Sequence, residues 1–252
     1  MDVELRKLQD SDKEVYIELA NEIWVNKKIL QDEVHNNRFW EDMFSDTEIH
    51  YAILMGNQIC GFASIMKLDK EVQELGLELF ERYHHQGIGY ATFVQLLKIC
   101  KDEYHMKKIQ TKIYADNFPS ILLMRKIGGI PFGITRNVCI DETLQLEFQQ
   151  NNEELISDNI REIAKLFGVK PELLLSNLLV FQIPTQLEKS RFNIPLTGNL
   201  SYEKKIETRA INYMYLQTKR FLEDLLEKAK NSTREEINEE LLKVIEKFQS
   251  DL

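Results

Sequence analysis

The chain has 252 residues, 43% of them hydrophobic, and a formal net charge of −9, which is the composition of an ordinary globular protein. This acidic balance argues against nonspecific nucleic-acid binding, because neutralising phosphates needs surplus lysine and arginine. No run of ~20 apolar residues occurs, so no membrane span is predicted. The three cysteines, Cys60, Cys100 and Cys139, stand singly, with neither disulfide nor metal-site spacing. Together with an N-terminus unlike a signal peptide, they predict a cytoplasmic protein that holds no metal.

The chain opens with the signals of a strand, two helices and a hairpin. Capping residues at 10–12 precede an apolar stripe of helical spacing, and Gly56-Asn57 separates two apolar runs as the turn of a hairpin does. The predicted elements are a strand at 3–8, a helix after residue 12, a helix at 31–44, and hairpin strands at 49–55 and 58–66.

The most informative stretch begins at residue 72. Apolar residues alternate through 72–80 as in a half-buried strand, and those of 93–104 recur at helical spacing. Between them lies a loop that ends in Gly87-Ile-Gly89. Free amides at a helix start, together with glycines that admit close approach, form a seat for an anion such as phosphate. The loop lacks the Gly-Lys-Ser/Thr of a P-loop and the third glycine of a dinucleotide site.

A second strand-to-helix unit follows at 108–129. The strand at 108–115 leads into a helix that Asn117 can cap and that ends at Gly128-Gly129. The two units together, Tyr-His-His-Gln-Gly-Ile-Gly-Tyr-Ala at 83–91 and Asn-x-Pro-Ser-x-x-x-x-x-Lys-x-Gly at 117–128, resemble the GNAT superfamily of acyl-CoA-dependent N-acetyltransferases. The branch that acetylates ribosomal-protein N-termini and spermidine is the most similar in its motifs. The resemblance covers about residues 1–148.

The resemblance implies a fold, a donor and an acceptor. The fold is α/β, a mixed and mostly antiparallel sheet flanked by helices. The donor is acetyl-CoA, and the acceptor is a primary amine on a small molecule or a peptide N-terminus, which attacks the thioester directly.

Donor-binding residues follow from the same resemblance. Backbone groups near Leu79 and Phe80 would pair with the pantetheine arm and polarise the thioester carbonyl, and Asn117 and Ser120 would border the arm. The CoA pyrophosphate would lie on the amides of the glycine loop and the first helical turn, which are His84, His85, Gln86, Gly87, Ile88, Gly89, Tyr90 and Ala91.

For the catalytic base, Glu74 and Glu78 are the candidates, since an even separation places both on one face of the strand. A carboxylate beside an apolar tunnel can have a raised pKa and accept the proton of the amine. The general acid is unassigned, because Met124 stands where many family members have a tyrosine. Acceptor contacts are expected from the first two helices, at Trp24, His35 and Trp40, although aromatic residues at helical spacing more often belong to a core.

The remainder carries no recognised motif. We expect strands at 130–140 and 143–148, and then a smaller all-helical C-terminal domain at 149–252. Its predicted helices cover 153–167, 171–180, 202–230 and 234–249, the last with a capping box at Thr233 and Glu236. Residues 160–174 have the spacing of a DNA-binding helix-turn-helix, but the second helix offers almost no side chain that could contact a base or a phosphate. A buried helical hairpin is the better interpretation.

Three functions stay open at this point. The predicted one is an N-acetyltransferase, and the acidic N-terminal half favours a cationic acceptor such as a polyamine, an aminoglycoside-like compound or a peptide N-terminus. The first alternative is an acyl-CoA-binding regulatory or scaffolding protein with little catalysis. The second, disfavoured by charge, is a DNA-binding regulator. The C-terminal helices could complete the acceptor site, cover the sheet or form a homodimer.

Overall fold

Seven strands form one mixed sheet in the computed structural model, which describes residues 2–25, 33–137, 142–189 and 191–231. The strands are β1 Glu4–Lys7, β2 Ile49–Met55, β3 Gln58–Met66, β4 Gln73–Leu79, β5 Ile109–Ile113, β6 Ile130–Arg136 and β7 Asn177–Ile183. Their order is β1-β2-β3-β4-β5-β7-β6, and only β4 and β5 run parallel. The predicted mixed, mostly antiparallel sheet is therefore confirmed.

Eight α-helices flank the sheet within the described residues. They are α1 Lys13–Ile23, α2 Glu33–Asp42, α3 Ile88–Asp102, α4 Phe118–Ile127, α5 Glu142–Gln150, α6 Asp158–Phe167, α7 Leu173–Ser176 and α8 Lys205–Asn231. No helix of the described ranges is long and apolar enough to cross a membrane.

The core lies on both faces of the sheet. Because neighbouring residues of a strand point to opposite faces, Ile53 joins one hydrophobic cluster and Ala52 the other. The larger cluster includes buried side chains of α3, α4 and α6, and the smaller one packs α1 and α2 on the second face. Cys60 and Cys100 are buried thiols, as predicted, and Cys139 lies outside the described residues.

Two predicted elements of the second half are wrong. The predicted strand at 143–148 is part of helix α5, and the predicted helix at 171–180 gives way to strand β7 from Asn177 onward. β7 inserts between β5 and β6 and pairs antiparallel with both. Such an interior strand is a nearly continuous apolar run, which periodicity cannot distinguish from a buried helix. The segment 149–252 is thus not helical throughout, and it shares the sheet and the larger core cluster with the segment 1–148.

The helix-turn-helix pattern also has a different structure. α6 is followed by a single turn, α7, which runs directly into β7, so the second helix of that pattern, and with it the predicted helical hairpin, does not form. α8 covers the predicted helix at 202–230 from Lys205 onward. The predicted helix at 234–249 lies outside the described residues.

Candidate active site

A wedge-shaped opening separates β4 from β5. β4 pairs with β3 from Glu74 to Leu79, but with β5 only at Gln73 and Glu74. The last link across is the Thr111 hydroxyl, which donates to the Leu75 carbonyl at 2.9 Å. In an antiparallel pair, alternate residues direct their backbone groups toward the partner strand. Since the Phe80 N–H donates to the Cys60 carbonyl at 3.1 Å, the backbone groups of Leu77 and Leu79 point away from β3, into the wedge.

The glycine loop closes the end of this wedge. After β4 the chain makes a short 3-10 turn, and α3 begins at Ile88. Gly87, the residue before α3, has a left-handed backbone with φ of +83°, which glycine adopts without strain. The first amides of α3 have no acceptor inside the helix and carry the positive end of its dipole. The loop predicted to seat a phosphate therefore has the required backbone geometry.

Side chains of the loop fix its shape. His84 Nε2 lies 3.0 Å from the Leu79 carbonyl, and Gln86 Nε2 donates to the Arg82 carbonyl at 2.6 Å. His84, His85, Gln86 and Tyr90 are exposed, whereas the Ile88 side chain is buried in the core. If residues 84–91 bind a pyrophosphate as predicted, they would do so through their backbone amides, with exposed polar side chains around them.

The start of α4 forms the opposite wall. Asn117 caps this helix, because its Oδ1 accepts the Ser120 N–H at 3.2 Å. The preceding residue, Asp116, is bound through one oxygen only: Oδ2 accepts the Ile206 N–H at 2.9 Å, and Oδ1 is buried without a hydrogen-bond partner. Burial raises the pKa of Asp116. An orphaned acceptor here suits a ligand that brings an N–H group.

Glu74 and Glu78 share one face of β4, as predicted, but have different environments. Glu74 is bound by Lys67 Nζ and Lys112 Nζ, each at 2.7 Å, and by Gln110 Nε2 at 3.0 Å. Burial acts to raise the pKa of Glu74, but the two lysines outweigh it, so the pKa lies below the usual range.

Glu78 has the opposite shift. Burial raises its pKa, and the hydrogen bond from Trp24 and the charge of Lys204 only partly oppose this effect. A carboxylate whose pKa is raised binds a proton more readily than an ordinary one. The two predicted candidates thus differ: the pKa of Glu78 is raised, whereas Glu74 is an ion-pair partner of two lysines.

Aromatic side chains form the wall beside Glu78. Trp24, directly after α1, lies edge-on to Phe39 at 5.1 Å between ring centroids and to Tyr16 at 6.5 Å. Trp40, in contrast, is 6% exposed and packs in the smaller core cluster. Trp24 packs against the same cluster from its edge and interacts with Glu78, whereas Trp40 is buried within it. His35 belongs to α2, but its side chain lies outside what the structure describes.

Comparison with known proteins agrees with this geometry. Residues 2–130 match the family model described as acetyltransferase (GNAT) domain. The chain belongs to the GNAT acetyltransferase family. The resemblance read from its two motifs is thereby confirmed, and the protein is an N-acetyltransferase that transfers an acetyl group to an amine.

The sequence identity to individual relatives is low. The SPbeta prophage-derived uncharacterized N-acetyltransferase YokL of Bacillus subtilis (strain 168) is 28% identical over 140 residues, which are 53% of this chain and 79% of that protein. A chimera of the spermidine N-acetyltransferase SpeG of Vibrio cholerae and hSSAT superposes with a TM-score of 0.52, 10% identity, and coverage of 73% of this chain and 96% of the other. E33Q and E41Q mutant forms of that SpeG give 0.50, with 10% identity and 73% and 95% coverage. These structures share the fold.

Beyond the family match, a C-terminal segment of the acetyltransferase reaches the end of α1 and the start of α4, and the sequence did not indicate which residues would do so. We call residues 202–207 the strap. Lys204 Nζ donates to the Ile23 carbonyl at the end of α1, and the Ile206 N–H donates to Asp116 after β5. The Tyr202 hydroxyl donates to Glu207 Oε2 at 2.5 Å. The strap thus connects the two sides of the wedge, and no local sequence signal announces contacts between residues 90 and 181 positions apart.

A hydrogen-bonded row lies next to Glu78 on the same sheet face. Ser64 Oγ is 2.9 Å from His50 Nδ1, and His50 Nε2 is 3.0 Å from Glu48 Oε2. Burial lowers the pKa of His50, against the effect of Glu48. Ser64 is paired with Gly76, two residues before Glu78. The row thus runs along the sheet face that carries Glu78.

The described residues contain no cluster of three or more histidine, cysteine, aspartate or glutamate side chains that could hold a metal ion. Met124, at the position where many family members place a tyrosine, is buried in the larger core cluster.

Proposed function

We propose that this acetyltransferase uses acetyl-CoA as the donor and transfers its acetyl group to a cationic primary amine, with Glu78 as the base. The observation that carries the proposal is the position of Glu78, a carboxyl of raised pKa, on the strand whose backbone opens into the wedge. When bound, acetyl-CoA supplies an acetyl group already activated as a thioester.

The residues of the wedge fit such a donor. The backbone groups of Leu77 and Leu79 are directed away from β3, and β5 does not pair with them. A pantetheine arm, which carries amide groups, can bond to a strand edge of this kind. Asp116 Oδ1 is an unpartnered acceptor on the opposite wall, and the amides at the start of α3 suit a pyrophosphate. Of the two residues predicted to pair with the arm through their backbone, Leu79 offers its N–H, since its carbonyl lies 3.0 Å from His84 Nε2, and the N–H of Phe80 is already bonded to Cys60.

The electrostatics of the site favour a cationic acceptor. The charge of Glu207 raises the pKa of both Glu78 and Asp116. An alkyl ammonium entering this group of carboxylates relieves the repulsion. It must lose a proton before its nitrogen can attack, and Glu78 accepts that proton directly or through one water. Trp24 supplies an apolar wall for the alkyl chain.

The test is CoA-thiol release from acetyl-CoA, followed across a panel of acceptors: polyamines, aminoglycosides, peptides with free N-termini, and neutral alkyl alcohols of matched length. We expect turnover with cationic primary amines and none with the alcohols. Turnover that is equal for neutral and cationic acceptors would contradict the role of the carboxylates. The absence of turnover with any amine, although the donor binds, would contradict the choice of acceptor.

A further inference from the structure

The strap places one of the chain's own primary amines at the acceptor site. The strap is anchored at two points. Lys204 Nζ donates to the Ile23 carbonyl, and the Asp116 carboxylate accepts the Ile206 N–H. Ile23 is the residue before Trp24, which donates to Glu78. The ammonium of Lys204 is therefore held at the end of α1, near enough for its charge to lower the pKa of Glu78, the group proposed as the base.

The backbone and neighbours of Lys204 direct its side chain inward. Its φ of +54° is in the left-handed region, which a lysine rarely adopts unless its surroundings impose it. Its Nζ lies 5.9 Å from the ring centroid of Tyr202, a cation–π contact. The side chain is half-buried, whereas the next residue, Lys205, is exposed and forms an ion pair with Glu203 at 2.5 Å. Two adjacent lysines thus have opposite orientations, one into the site and one into solvent.

We propose that Lys204 is an acetyl acceptor of its own chain, modified in cis at Nζ. The inference rests on the proposed function, since it uses the same donor and the same base. A lysine side chain is a primary alkyl amine, the chemical class of acceptor that the site is proposed to take. Lys204 approaches the wedge from a segment outside the family domain, so this acceptor is a property of this chain rather than of the shared fold.

The step balances without any further reactant. The Lys204 ammonium gives one proton to the carboxylate of Glu78, and the free nitrogen forms a bond to the acetyl carbon as the carbon–sulfur bond breaks. The second proton that the nitrogen loses passes through solvent to the sulfur, so CoA leaves as the thiol. Glu78 then returns its proton to solvent. The product is an N-acetyl-lysine without charge.

Acetylation changes the contacts of the strap. The neutral amide no longer forms a cation–π contact with Tyr202 and no longer offsets the negative charge of Glu78. We therefore expect the modified strap to loosen from the end of α1 and to open the site to amines from solution. Unmodified Lys204 occupies the acceptor position and competes with them.

The experiment is site mapping by mass spectrometry of the full chain after incubation with isotopically labelled acetyl-CoA. We expect one labelled acetyl group at Lys204, formed at a rate constant that does not change on dilution of the protein, as an intramolecular step requires. Lys204→Arg removes this label, and the matched control Lys205→Arg retains it. Glu78→Gln slows the labelling by ~10²-fold or more, the usual contribution of a positioned base.

Four results would overturn the inference. Lys204 left unlabelled while amines in solution are acetylated would do so and would leave the proposed function standing. Labelling of Lys204 no faster than of exposed lysines such as Lys205, or labelling that slows in proportion to dilution, would show unselective or intermolecular chemistry instead. A protein that does not bind acetyl-CoA in a calorimetric titration would refute both the proposed function and this inference.

Discussion

Replacing Glu78 and Glu74 separately by glutamine tests the assignment of the base. Glu78→Gln preserves the size of the side chain and an oxygen that can accept the Trp24 indole N–H, so what is lost is proton acceptance and the negative charge. A positioned general base contributes ~10²–10⁴-fold to a rate. We therefore expect kcat at saturating donor and amine to fall by ~10²–10⁴-fold, with a much smaller change in donor affinity.

Glu74→Gln is the matched control on the same face of the same strand. It leaves Lys67 and Lys112 without their shared carboxylate, so its effect falls on stability. Removing one partner of a fully buried ion pair costs ~3–5 kcal/mol, and an exposed pair contributes ~0–1 kcal/mol. The Glu74 side chain is 10% exposed, that of Lys67 44% and that of Lys112 23%. The burial of these ion pairs lies between the fully buried and the exposed case, so we expect a loss of ~1–3 kcal/mol in the free energy of unfolding.

The assays are CoA-thiol release for kcat and urea denaturation for stability, applied to both variants. We expect a loss of activity without much loss of stability for Glu78→Gln, and the reverse for Glu74→Gln. If Glu74→Gln lowers kcat by the larger factor while the protein remains folded, the base has been assigned to the wrong carboxylate.

Three further predictions use other parts of the site. A base must be ionised, and burial raises the pKa of Glu78. As the pH is lowered, kcat/KM should therefore begin to fall at a higher pH than it would with an ordinary carboxylate as the base. A pH–rate profile that stays flat down to the usual pKa range of glutamate would refute this. In Gly61→Ala, the added Cβ would lie 2.1 Å from the Glu78 carbonyl oxygen, so β4 must shift. We expect the free energy of unfolding to fall by ~1–3 kcal/mol and the KM for the donor to rise. An unchanged urea midpoint would contradict the close approach. Asp116→Ala removes the acceptor of the Ile206 N–H at the start of α8 and should cost ~1 kcal/mol of stability, as the loss of a helix cap does. Asp116→Asn keeps an acceptor oxygen and avoids a buried charge, so it should retain stability at neutral pH. Equal losses in the two variants would exclude a capping role for Asp116.

Much of the site could be predicted because its signals are local. The alternation through 72–80, the glycine before α3 and the Asn117 cap of α4 each lie within a few residues of the element they specify, and the structure contains all three. The same alternation placed Glu74 and Glu78 on one face. It could not distinguish their pKa values, because Lys67 and Lys112 reach Glu74 from neighbouring strands and loops.

The missed features depend on distant contacts or on ambiguous patterns. β7 is the interior partner of β5 and β6, and its run of buried apolar residues reads equally well as a helix. The alternating residues of α5 favoured a strand but form a helix that packs with its buried Phe148 against Tyr213 of α8. The strap reaches α1 and β5 across most of the chain, so only the folded structure brings Lys204 to the site.

The central claim, that the wedge and its glycine loop bind acetyl-CoA, is tested most directly by calorimetric titration of acetyl-CoA into the protein and two glycine variants. Gly87 and Gly56 both have left-handed backbones with open space around the missing Cβ, so alanine at either should cost a similar ~1–2 kcal/mol of stability. Only Gly87 precedes α3; Gly56 forms the hairpin turn between β2 and β3. We expect saturable binding that Gly87→Ala weakens and Gly56→Ala leaves unchanged. Absence of binding, or equal binding by all three proteins, would contradict it.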